Sequence, residues 1–180
     1  MNRVHQLNKS MTYVPYKSFW FFGVEQAIRD YMFAYNDWYQ YRATEHARQN
    51  TFYTSRIADR LRVHPACGAR IDSKDTSVYV IGVDWFQPFK YTNHSVGVAF
   101  LKCLDFEDRF QGVGTNVFPL MIIQGPKEPK NIWVHLRRIA DEFARFGPSS
   151  EGFEVTSAHS GDKFQHRIIL GGILGDTPAW

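Results

Sequence analysis

The chain has 180 residues, 44% hydrophobic and 16% aromatic, with 21 Lys and Arg against 18 Asp and Glu. That composition suits one domain with a real core and excludes a disordered chain. The formal charge of +3 and the pI near 8.9 permit nucleic-acid binding without specifying it, because phosphate binders usually cluster their charge.

Two cysteines, Cys67 and Cys103, lie far apart and form no Cys-x-x-Cys pair. They point to a reducing compartment and to no zinc site of their own. No apolar run approaches the roughly 18 residues of a membrane span. The start, Met-Asn-Arg-Val-His-Gln, leads into no secretory hydrophobic region.

Residues 1–17 are polar, contain Pro15, and read as an arm or linker. Ser18 to about His46 reads as helical, with Phe21, Phe22, Ala27, Ile28, Met32 and Tyr35 at three- and four-residue steps. Trp20, Tyr31, Trp38, Tyr39 and Tyr41 make it unusually aromatic. Packing on another layer is the favoured use of such a stripe over base stacking. Thr51–Leu61 reads as a short amphipathic helix or turn, and Arg56, Arg60 and Arg62 as a solvated basic face. Val63–Asp75, with Pro65 and Gly68, reads as a loop.

Val78–Gly82 is β-branched, aromatic or small throughout, the pattern of a buried strand that Asp84 ends. An acid at the end of a core strand is expensive to desolvate unless a positive charge meets it. Ser95–Leu104 is a second strand and Asn116–Ile123 a third, with Pro119 requiring an edge or a bulge. Asn131 suits a helix cap. Ile132, Leu136, Ile139, Ala140 and Phe143 then form one helix face, ended by Gly147-Pro148. Ser149–Asp162 reads as a polar surface loop, and Phe164–Asp176 as a buried strand running into a second acid.

From Ser77 onward the order is therefore strand, strand, strand, helix, strand. Short links make the first three an antiparallel meander. A right-handed helical crossover returns the fourth parallel to a neighbour. If that neighbour is the first strand, Asp84 and Asp176 become adjacent at one sheet edge. This is the ribonuclease-H-like order of an α/β (α+β) mixed sheet. Two adjacent carboxylates repel unless a cation lies between them, and hard oxygen donors suit Mg²⁺ or Mn²⁺.

Three segments carry a resemblance. Asp84-Trp85-Phe86-Gln87-Pro88-Phe89, Gly125-Pro126-Lys127-Glu128-Pro129 and Asp176-Thr177-Pro178-Ala179 are similar, in order and spacing, to motifs of CACTA-type (En/Spm-like) DNA transposases. Arg109 also stands where that family tends to carry Arg. The resemblance implies a DDE/D nuclease and strand-transferase core. Asp84 and Asp176 would be its catalytic, metal-binding acids, working on phosphodiesters with Mg²⁺ or Mn²⁺. It further implies DNA at transposon ends as partner, self-association, and a nuclear location.

On that reading 1–75 is an N-terminal arm and helical region, and 76–180 a partial catalytic domain. The family continues to a third acidic ligand, so a truncated fragment, poorly active alone, is expected. Asp105, Glu107 and Asp108 lie in a connection and are no substitute. Trp85 replaces the family's usual Gly and is expected to affect how DNA or metal approaches. The Gly125–Pro129 segment reads as a rigid turn introducing the helix. His64 with Cys67, and His159 with His166, fall short of a four-ligand set. The alternatives are a non-catalytic transposon-derived DNA- or protein-binding module and an unrelated α+β protein.

Overall fold

A computed structural model describes residues 5–7, 13–15, 19–34, 52–88, 90–91, 95–104, 117–125, 129, 131–157 and 160–175. The described part is a mixed α/β fold with a six-stranded mixed sheet and three α-helices. Strands β1 (His5–Leu7) and β2 (Tyr13–Pro15) pair antiparallel. The expected plain arm is thus partly a small ladder.

The sheet is built from β3 (Phe19–Phe21), β4 (Thr76–Phe86), β5 (Val96–Cys103), β6 (Phe118–Gln124), β7 (Phe153–Thr156) and β8 (Lys163–Gly175). Their order across the sheet is β3-β6-β5-β4-β8-β7. The meander of β4, β5 and β6 is antiparallel, as its short links require. The last strand lies parallel to β4, beside it.

Three expectations need correction. The segment from Ser18 does not start as helix: Phe19–Phe21 pairs with Met121–Ile123, and helix α1 covers Val24–Ala34. Residues 35–51 lie outside the described part. The polar stretch 149–162 contains β7, whose Phe153 and Val155 are buried while Glu154 and Thr156 are exposed. An extra strand therefore stands between helix and last strand. Lastly, Asp84 does not end its strand, because it pairs with Val98, and Trp85 and Phe86 pair beyond it.

Pro119 is accommodated by a bulge. The β5–β6 register shifts between Ala99 and Phe100, where Pro119 sits opposite Phe100. Helix α2 (Arg56–Val63) begins at Ser55, whose hydroxyl accepts from the Ala58 N–H. A 3₁₀ turn over Gly68–Asp72 follows. Helix α3 (Trp133–Arg145) is preceded by Asn131, whose side-chain oxygen accepts from the Trp133 N–H. It buries Leu136, Ile139 and Phe143, while Ala140 faces out.

Two cores lie on opposite faces of the sheet. On one face α1 buries Val24, Ala27, Ile28 and Tyr31, at steps of three, four and seven. These pack with α3 against Tyr79, Ile81 and Val83 of β4. On the other face α2 and the 3₁₀ turn bring Phe52, Tyr53, Ala58 and Ile71 against Val78 and Ile169. That second layer sits at the start of β4 and leaves the far end to solvent, where Asp84 and Phe86 are exposed.

Candidate metal centre at the end of the central strands

Strand β4 is buried over its first eight residues and becomes solvated at Asp84. Tyr79, Ile81 and Val83 join the helix-covered core and Val78 the smaller one, so the strand's alternation puts Asp84 on the Val78 side. Trp85 packs towards the helix-covered core, where its ring lies against Gly97 directly across the ladder. A Cβ at Gly97 would come within 2.5 Å of that ring. The bulky neighbour thus lies on the other face of the sheet from Asp84.

One oxygen of Asp84, Oδ1, accepts from the Trp85 N–H at 2.8 Å. This orients the carboxylate locally and leaves an exposed hard oxygen donor, suited to a divalent cation.

The register of β8 against β4 decides what can join it. From Thr76 to Tyr79 the partners run Arg167 to Leu170. The register then shifts, and Val80, Ile81, Gly82 and Val83 face Gly172, Ile173, Leu174 and Gly175. Gly171 is the inserted residue, and a Cβ there would meet Val78 Cγ1 at 2.8 Å. Val83 and Gly175 are the last registered pair, and each is followed by one of the two aspartates, Asp84 and Asp176. Asp176 lies outside the described residues, as do Thr177–Ala179 and Arg109.

The segment after β6 reaches the same end of the sheet, since Gln124 faces Val96 and Val96 faces Phe86. Gly125 follows, and a Cβ on it would lie 2.1 Å from the Ser95 carbonyl oxygen. This glycine is therefore set by a close backbone approach, which fits a rigid turn. Pro126–Glu128 lie outside the described residues.

The competing candidates separate. The His64 ring accepts from the Ala66 N–H through Nδ1, and burial pushes the Cys67 thiol up from its ordinary range, which disfavours a metal-binding thiolate. His166 is fully buried, with Nε2 3.3 Å from the Tyr79 hydroxyl and edge-on contacts to Phe153 and Phe164. It belongs to the core. Arg62 is paired with Asp59 and Asp72. Among the described residues no group of three His, Cys, Asp or Glu could hold an ion.

One feature without a sequence signal lies at the opposite end of β4. Arg167 pairs with Asp75 at 2.5 Å, and its Nε donates to the Ser150 carbonyl at 2.9 Å. The two partners stand far apart in sequence, so only the fold reveals the pair.

No protein-family model, curated protein or solved structure matches the chain. Among the described residues no helix is long and apolar enough to cross a membrane.

Proposed function

We propose that the chain carries part of a DDE/D-type transposase catalytic domain on a ribonuclease-H-like sheet, with Asp84 and Asp176 as paired ligands of a divalent cation. The observation that carries this reading is the bulge at Gly171. Without that extra residue Gly175 would stand opposite Asp84, and Asp176 opposite Trp85 on the other face. With it, the described register ends with Val83 opposite Gly175, the residues that directly precede Asp84 and Asp176 in sequence. Bulges that re-aim a side chain are frequent beside active sites.

Further support comes from the β6-β5-β4-β8 order and from the glycine turn at Gly125 reaching the same edge. Strands β3 and β7 are additions to that core. Mg²⁺ or Mn²⁺ held by the two acids would supply Lewis-acid chemistry on a DNA phosphodiester. The chain's own contribution is a rigid, solvent-facing carboxylate on a buried strand, kept open by the turning away of Trp85.

The test is calorimetric titration of Mn²⁺ into the native chain and into Asp84→Asn and Asp176→Asn. Each variant should bind roughly tenfold more weakly or not at all, because half the carboxylate set is lost. Variants that bind as tightly as the parent overturn the reading.

A further inference from the structure

The last three residues of β4 are held differently from the eight before them. Thr76–Val83 are all buried, whereas Asp84 and Phe86 are exposed. Between those two, Trp85 is half-buried and packs against the helix-covered core. A strand end with little burial opens readily unless a side chain ties it down. Trp85 is the side chain that ties this end to the core.

That anchor depends on the residue facing it. Trp85 and Gly97 stand directly opposite each other across the antiparallel ladder. Three atoms of the indole's six-membered ring, Cη2, Cζ2 and Cζ3, lie 2.5, 2.6 and 2.7 Å from where a Cβ on Gly97 would be. The ring therefore fills the space that a side chain would take. Glycine inside a strand costs stability, and its neighbours Val96 and Val98 are the branched residues that a strand favours. An aromatic ring laid over the bare backbone from the next strand offsets that cost.

Trp85 also reaches the acid through its own backbone. Its N–H donates to Asp84 Oδ1 at 2.8 Å. The residue whose ring anchors the strand end thus supplies the donor that orients the carboxylate.

We infer that Trp85 and Gly97 are a matched pair of positioning residues for Asp84. The indole, seated on Gly97, keeps residues 84–86 in the ladder and keeps the Trp85 N–H on the carboxylate. The consequence for a divalent cation rests on the metal-site reading above; the anchoring of the strand end does not. A methyl group at position 97 would displace the ring, loosen the strand end and release the carboxylate from its donor. Without the ring, the same methyl group meets no obstacle.

A double-mutant cycle tests this, using Gly97→Ala, Trp85→Ala and the two combined. Amide hydrogen exchange is read over 84–86, with buried 79–81 of the same strand as the internal reference. Gly97→Ala in the parent should speed exchange over 84–86 roughly tenfold and leave 79–81 unchanged. In the Trp85→Ala background the same substitution should slow exchange, because alanine suits a strand better than glycine once no ring stands in its way. Calorimetric titration of Mn²⁺ gives the second readout. Gly97→Ala should bind roughly tenfold more weakly than the parent, as when a group supporting a metal ligand is lost. The combined variant should bind at least as tightly as Trp85→Ala alone.

Gly97→Ala acting alike in both backgrounds, or speeding exchange equally at 79–81, would overturn the pairing. Faster exchange over 84–86 with Mn²⁺ affinity unchanged would overturn the positioning role. A parent that takes up no Mn²⁺ would overturn the metal-site reading, while the exchange measurement still decides the pairing.

Discussion

Gly125 shows how one missing side chain can position a segment. The backbone after β6 passes so close to Ser95 that a Cβ would sit 2.1 Å from its carbonyl oxygen. The obstacle is backbone, which cannot swing aside as a side chain can. Gly125→Ala should therefore destabilise the fold by about 2–3 kcal/mol, read from urea denaturation midpoints. Gly82 differs: its would-be Cβ meets the half-buried Phe100 ring, which has some freedom to move. Asp84 is the candidate residue that stands out first in the sequence, because a carboxylate after a run of core residues is conspicuous. That its strand continues to Phe86 was less visible, since it depends on Gly97 lying across the ladder to receive Trp85. No inspection of β4 alone supplies that partner.

Among the elements, the parallel pair β4–β8 is anchored at its start by Asp75 and Arg167. Burial raises the Asp75 carboxyl, but hydrogen bonds from Ser73 and Thr76 and the Arg167 guanidinium outweigh it and hold the group below its ordinary value of 3.8. A depressed carboxyl stabilises the fold above the unfolded-state pKa, and that contribution is lost as pH falls through the lower folded value. Asp75→Asn should cost about 1 kcal/mol at neutral pH, the figure being reduced for partial exposure. The difference from the parent should shrink below about pH 4, where the unfolded carboxyl takes its proton. Thermal melts at pH 7 and pH 3 check both statements.

A second tie joins the two helices. Glu142 of α3 accepts from the Val24 N–H at 2.5 Å, giving the positive end of α1 a carboxylate just after Gly23 turns the chain at φ +91°. Elements with long, uninterrupted patterns were readable from sequence: β4, β5, β6, β8 and α3. The short strands were not. Phe-Glu-Val-Thr of β7 alternates over four residues inside a polar stretch, and Phe-Trp-Phe of β3 merges with the aromatic pattern of the helix after it. Each is stabilised by a neighbouring strand rather than by its own composition.

Across the whole molecule, the sheet divides the chain's aromatic and aliphatic residues into two unequal cores. The larger is roofed by α1 and α3, and the smaller is held under α2 and the 3₁₀ turn. The free end of the second face carries Asp84 and Phe86, which is 47% exposed. The neighbour relation of β4 and β8 was readable from element order and the handedness of crossovers. Its phase was not, because the bulge at Gly171, where a Cβ would meet Val78 Cγ1 at 2.8 Å, has no pattern of its own in the sequence. The account as a whole rests on that phase.

The most direct measurement is a cross-link between the two acidic positions. Asp84→Cys and Asp176→Cys would be combined in a chain also carrying Cys67→Ser and Cys103→Ala, then mildly oxidised in the folded state. Neighbouring strands lie about 4.8 Å apart, within reach of a disulfide. The account predicts a near-complete intramolecular disulfide, with none in a control pairing Asp84→Cys with Ser160→Cys, since Ser160 precedes β8 at the opposite end of the sheet. A folded 84/176 chain that stays reduced, or one that cross-links no better than the control, would contradict it.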